Sequence, residues 1–335
     1  MSATAALNKI VQDWTPLSSK NRRSIHNYLN SSLPTAGPTV LVDLLPVEEQ
    51  DDVFISKPAY PHPGYDSEQM YNIQIEHRQP IGLIDYIAFY FLRLLRNLFD
   101  YMTGYTEPQD KSEQIAIANG AERMTVEKWM ARFIVLESVA GIPGSVAGCL
   151  RHLRSLRRFR RDMAWIETLH DEAYNEKMHL LTFLKIAKPT LLTRVSIYAL
   201  QIVFAFFFTL VYFIYPNICH RFVGYLEEEA VKTYTRCIDD MELGLTPDLS
   251  NLQVPQIAID YWNLSIDANF YVLIQYIRAD EAKHREVNHT FANLETRGND
   301  RNPFALHIEA ANVPQPSKTL ENHRGVGWER EDLIL

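Results

Sequence analysis

Four glutamates stand at the centre of apolar helical stripes, and no other feature restricts the fold as much. Each residue of a helix turns the chain by roughly 100°. On that wheel Trp165, Leu169, Leu180 and Phe183 fall within about 40° of Glu176. Phe270, Ile274 and Ile277 line up in the same way with Glu281, and Val231, Tyr234, Ile238 and Met241 with Glu227. In "FIVLESVAGIPGSVAG", Glu137 shares a face with Phe133, Gly141, Gly144 and Gly148, glycines that let a second helix approach closely. An ionised carboxylate in an apolar interior costs several kcal/mol unless something compensates it, and four together repel.

Two of these glutamates open Glu-x-x-His pairs, Glu176/His179 and Glu281/His284. The same helices carry two further pairs on other faces. Glu167/His170 lies about 180° from Glu176, and Glu286/His289 about 140° from Glu281, both on expected wet sides. One Glu from each of two helices plus Glu-x-x-His from each of two others is the ligand set of di-iron carboxylate bundles. Oxygen-rich sites with some imidazole suit iron or manganese better than zinc. Glu137, Glu176, His179, Glu227, Glu281 and His284 are therefore the expected holders of two metal ions.

The rest of the chain suits an all-α protein. Its 335 residues include only 13 glycines, and an apolar share of 47% supplies a sizeable core. A net charge of −8 argues against nucleic acid as partner. Cys149, Cys219 and Cys237 show no paired spacing, so no disulfide framework is expected. Helical stretches are expected at 125–152, 162–186, 221–243 and 266–294, with a loop over 101–124. Residues 1–70 read as an arm, extended and proline-rich over its later part. Its first thirty positions hold one acid, Asp13, against Lys9, Lys20, Arg22 and Arg23, which fits an organelle-import segment or a plain tail. From 296 to 335 the chain is polar, with little fixed structure expected.

Two apolar segments stand apart. Residues 81–99 place Asp85, Arg93 and Arg96 in a wide apolar helix, and 195–219 carry no charged residue over 25 positions. The second is long enough to cross a bilayer. Glu176 and Glu227 flank it, however, and are expected to share one metal site. Arg160, Arg161, Lys177, Lys185, Lys232 and Arg236 also charge the wet faces of the metal helices. Both segments are thus expected to lie in the plane of one leaflet. The run "RHLRSLRRFRR" meets anionic headgroups or forms a solvated helix end. The expected architecture is a ferritin-like di-iron four-helix bundle over 71–304 with two amphipathic membrane-surface helices and a flexible tail at 305–335.

"RFIVLESVAGIPG", "HLRSLRRFRRD", "WIETLHDEAYNEKMHLLTF", "HRFVGYLEEEAVKTYT" and "RADEAKHREVNHTFAN", with "NPF" at 302–304, resemble the mitochondrial alternative oxidases, the cyanide-insensitive ubiquinol oxidases. The likeness runs from about residue 70 to 304 and is closer to fungal and protist members than to plant ones. It implies two non-haem iron ions on the six residues above, with the histidines as direct ligands or as supports behind the carboxylates. It implies Tyr234 as a redox-active residue and a quinol pocket at Arg96, Asp100, Arg132, Leu136, Ala230 and Thr233. It further implies ubiquinol and O2 as partners, a homodimer, and the matrix face of the mitochondrial inner membrane. Lys177 stands where the family commonly has Arg, "SVAGC" departs after "PG", and the arm has no cysteine, which puts the disulfide regulation of plant members in doubt. Quinol oxidation with full reduction of O2 to water, without proton pumping, is the expected activity. A plastid-type quinol oxidase, a quinone-ring hydroxylase and an iron-binding or structural membrane protein are the alternatives.

Overall fold

The computed structural model describes residues 57–120, 122–294, 296, 300–305 and 313–335. Ten α-helices lie among them: α1 (Ser67–Tyr71), α2 (Leu83–Thr103), α3 (Lys111–Ala118), α4 (Val126–Arg158), α5 (Trp165–Ala187), α6 (Leu191–Ile214), α7 (Pro216–Glu242), α8 (Pro247–Ser250), α9 (Gln256–Trp262) and α10 (Phe270–Asn293). The described residues contain no β-strand, only one isolated bridge between Gln253 and Asn269. The import segment and most of the arm fall outside them.

Short polar side chains set the helix starts. Thr125 Oγ1 accepts from the Lys128 amide at 3.3 Å and opens α4; Asn269 Oδ1 accepts from Val272 at 3.0 Å and opens α10. The expected loop over 101–124 instead contains α3. Asp110 accepts from the Glu113 amide at 2.8 Å while Glu113 reaches back to the Gln109 amide at 2.7 Å, close to a reciprocal capping box. The expected uncharged segment 195–219 is not one helix. The chain breaks at Tyr215, whose φ of −147° and ψ of 84° are extended, because the following Pro216 disfavours helical geometry in its predecessor. Pro216 then serves as the first residue of α7, which starts earlier than the expected 221.

Two helix pairs build the bundle. α4 packs along α5, and α7 along α10, with the four glutamates between the pairs. The glycines of α4 make the first pairing close: a Cβ on Gly144 would sit 2.5 Å from the Leu169 carbonyl, and one on Gly148 would sit 2.8 Å from the His170 ring. α6 lies against α4 and α7, and α2 mainly against α7. Both leave apolar faces open to solvent. On α2, Leu83, Tyr90, Leu94 and Tyr101 are exposed; on α6, Leu192, Ile202, Phe207 and Phe213 are.

The tail departs from expectation. Trp328 is fully buried, its Nε1 donating to Glu286 Oε1 at 2.7 Å and its amide to Thr290 Oγ1 at 2.9 Å. Gly327, at a φ of +78°, brings the backbone against α10, where a Cβ would lie 2.7 Å from that of His289. Glu286, expected on a wet face, is consequently buried, and also accepts from Lys283 Nζ at 2.7 Å and from the Arg324 amide at 2.9 Å. A helical wheel cannot see a cover that arrives from about forty positions later.

Candidate metal centre

Glu137 comes from α4, Glu176 and His179 from α5, Glu227 from α7, and Glu281 and His284 from α10. All four carboxylates are about 1% exposed. Their ligand atoms fall into two groups, Glu137–Glu176–His179–Glu281 and Glu176–Glu227–Glu281–His284, each with every atom within 4.8 Å of the others. Glu176 and Glu281 belong to both. The centre therefore has two lobes, with two carboxylates common to them and one glutamate private to each.

The polar accounting fits cations. Both oxygens of Glu176, both of Glu281, Glu227 Oε2 and His284 Nδ1 are buried without a hydrogen-bond partner. His284 Nδ1 lies 2.6 Å from Glu176 Oε1, and His179 Nδ1 3.2 Å from Glu281 Oε1. These atoms crowd together without being aligned as donor and acceptor, so the distances alone do not satisfy them. A protein would not ordinarily leave so many buried acceptors open, since each costs on the order of 1–3 kcal/mol or more. Two divalent or trivalent ions at the shared carboxylates offset both the charge and the missing bonds.

The electrostatics agree. Burial, with Glu281 and Glu176 nearby, pushes Glu137 well above the usual carboxylate range; burial and the same two neighbours do so to Glu227. Burial would raise Glu176 too, but the His179 and His284 imidazoles outweigh it and hold Glu176 far below that range. Burial likewise opposes the charged form of both histidines, yet the glutamates around them, Glu176 foremost, draw both well above the ordinary imidazole value. Left to itself the cluster shares too few protons among too many acids, the condition that a metal pair relieves.

Tyr234, on α7, is fully buried and donates its O–H to Glu137 Oε1. Burial and the adjacent Glu137 push its pKa well above that of a free phenol, so the hydroxyl holds its proton more tightly. A further set of residues, not singled out from the sequence, stands behind His179. Asp280 Oδ2 accepts from His179 Nε2 at 3.1 Å, Trp262 Nε1 at 2.8 Å and Asn175 Nδ2 at 3.1 Å, while its Oδ1 accepts from Tyr65 Oη at 2.8 Å and meets His62 Nε2 at 2.8 Å. Burial alone would raise Asp280, but His62 and His179 hold it well below the ordinary carboxylate value. It fixes the His179 ring by its far nitrogen and leaves Nδ1 for the cluster.

The residues of the expected quinol pocket also converge. Arg132, fully buried, donates to Asp100 Oδ1 at 2.7 Å and to Thr103 Oγ1 at 2.6 Å, and Arg96 to Asp100 Oδ2 at 2.8 Å and Thr233 Oγ1 at 3.2 Å. Ala230 is buried three positions before Thr233, and Leu136 half-buried one turn beyond Arg132. Glu229 joins this cluster unforeseen, accepting from Arg96 and Arg93 at 2.8 Å each. Two positions after Glu227, it is turned about 200° from that stripe, and that direction proves to be toward α2.

A family model described as Alternative oxidase matches residues 65–293. Among curated relatives, "Alternative oxidase 1, mitochondrial" of Candida albicans is 54% identical over 288 residues, covering 85% of this chain and 75% of that one. The Yarrowia lipolytica "Alternative oxidase, mitochondrial" is 48% identical over 292 residues, covering 87% and 81%. The protein of the same description from Wickerhamomyces anomalus is 49% identical over 303 residues, covering 89% and 88%. With its two-lobed carboxylate centre assembled from four helices, this chain belongs to the alternative oxidase family.

Proposed function

We propose that the protein is a ubiquinol oxidase that reduces O2 fully to water at an iron pair held by Glu137, Glu176, Glu227 and Glu281, with His179 and His284 bordering it. One observation carries this reading: two ligand groups share Glu176 and Glu281, whose oxygens are all buried and unpartnered. Bound iron supplies the one-electron chemistry that O2 demands. The chain's own residues do the rest. Arg132 and Thr233 would hold a quinol oxygen, while Asp100 and Thr103 fix the Arg132 fork and Arg96 holds Asp100. The Tyr234 Oη hydrogen is directed at Glu137 Oε1, so that carboxylate would take the proton if the phenol lost an electron to the bound iron pair, and quinol would return both. Two quinols supply the electrons and protons that turn one O2 into two waters, so no bulk proton is consumed and none need be pumped.

Ubiquinol partitions into lipid. The open apolar faces of α2 and α6 support a monotopic placement in one leaflet, and the quinol residues Arg96 and Asp100 lie on α2 itself. α6 is long and apolar enough to cross a membrane, as is α4, but α4 is half buried and carries Glu137. α6 joins α5 to α7, two helices whose glutamates meet in one cluster, which favours a course along the surface. The relatives' names support a mitochondrial location, and the inner membrane's matrix face is the placement proposed.

The test uses one reconstituted sample. Oxygen uptake with ubiquinol in the presence of cyanide is measured beside iron content, and Glu176→Ala is expected to lose both. Protein without transition metal, or uptake that survives Glu176→Ala, sinks the reading. An oxygenated ring product would point to a hydroxylase instead, and iron without oxygen uptake to storage.

A further inference from the structure

We infer that a polar cleft between α5, α9 and α10 is the route by which water leaves the metal centre, and that Glu172 keeps this route wet. The inference rests on the oxidase reading above, because it is that reaction which makes water inside a closed bundle. The cleft has about 60 Å³ of free volume, and His62, Asp171, Glu172, Lys283, His284 and Lys318 are among its lining residues. None of its lining comes from α2, α4 or α7, the helices that carry the quinol residues. It therefore opens on a different flank from the lipid-facing side.

Its inner end is walled by two residues that touch the centre. His284 lines the cleft with its ring while its Nδ1 lies 2.6 Å from Glu176 Oε1. Asp280 also lines it and holds His179 Nε2 at 3.1 Å. Lys318, exposed, stands at the outer end.

Glu172 has one carboxylate oxygen that no protein contact accounts for. It lies one turn before Glu176 on α5 and is only 5% exposed. Its Oε1 accepts from Asn288 Nδ2 at 2.8 Å, but Oε2 is buried with no partner. An acceptor so placed in a cleft roomy enough for several waters is a site for one of them. A second cleft, with Tyr105, Gln114, Trp129, Arg236 and Asp240 in its lining, includes none of the six ligand-set residues.

The experiment uses the full chain, iron-loaded and reconstituted in vesicles, with Glu172→Leu and Glu172→Gln as variants. After mixing with D2O, deuterium arriving near the one-electron-reduced iron pair is followed by pulsed EPR, and oxygen uptake with ubiquinol is measured in parallel. Glu172→Leu is expected to slow deuterium arrival and lower kcat on the order of tenfold, with the KM for ubiquinol and the iron content unchanged. Glu172→Gln, which still binds water, is expected to track the unaltered chain. Deuterium reaching Glu172→Leu as fast as the unaltered protein overturns the proposal; so does a Gln variant as slow as Leu, which would make a carboxylate proton the requirement. Should Glu172→Leu fail to fold, a high-resolution crystal structure of the unaltered chain decides: ordered water from Lys318 to Glu172 Oε2 is expected, and a dry cleft is fatal. An unaltered chain that exchanges water but takes up no oxygen would refute the oxidase reading alone.

Discussion

Tyr234 and Asp280 each touch the centre through one ligand-set residue, and they do different work. Tyr234 is not the sole support of its ligand, because Glu137 is also placed by α4 and accompanied by His179 Nδ1 at 3.2 Å. Tyr234→Phe is therefore expected to keep iron content while lowering oxygen uptake about 100-fold or more, the scale of a lost proton-transfer group. Asp280 holds a ring. Its loss in Asp280→Ala leaves His179, Trp262 and Asn175 without their common acceptor, and iron affinity is expected to fall about 10–100-fold in a metal titration. The two residues were unequally legible. Tyr234 sits on the Glu227 stripe, two turns on. Asp280 sits about 100° off the Glu281 stripe. It gains meaning from partners on other elements, two of which, His62 and Tyr65, lie more than two hundred positions away.

At the scale of elements, the close pairing of α4 with α5 sets how far Glu137 stands from Glu176. Gly144 is where that spacing is tightest, and the nearest atom to an added Cβ is backbone, which cannot turn aside as a side chain can. Gly144→Ala is expected to push the helices apart, with a cost of about 1–3 kcal/mol in thermal unfolding and weaker iron retention. The glycine face and the helices it joins were readable from period alone. The break between α6 and α7 was less so. An uncharged run reads as one segment by hydropathy, while the helix ends where Pro216 forces its predecessor out of the α region. α3 was missed because turn-forming residues around 106–112 hide a capping pattern that only eight helical residues follow.

Over the whole molecule, the tail closes the outer face of α10. Trp328→Ala would leave a cavity and take away one of the three donors to the buried Glu286 carboxylate, so a loss of about 3–5 kcal/mol is expected by denaturant unfolding. Acid stability has a defined sign. Burial lowers His220 to about 3 and His289 to about 4. His220 Nδ1 faces Asn288 Oδ1 at 3.1 Å and its Nε2 faces the Tyr212 hydroxyl at 3.1 Å, partners that suit the neutral ring. Below the unfolded value of about 6.5, the unfolded chain binds protons that the folded one refuses, so these two groups remove stability as pH falls, by a few kcal/mol each when complete. Glu172, raised to about 7 by burial, works in the opposite sense between about 7 and 4.5. In urea unfolding at successive pH values, His220→Gln is expected to lose less stability between pH 6.5 and 4 than the unaltered chain.

The amino-acid order alone determined the helical class, the four inward glutamates and both inward Glu-x-x-His pairs. Those depend on period, and period is a local property written along one helix. Only the tertiary structure decided that Glu176 and Glu281 are common to both lobes, that Asp280 anchors His179, and that Glu286 lies under Trp328. Each of these requires side chains from separate elements to meet, and a single helix's wheel shows which way a residue points without showing what waits there.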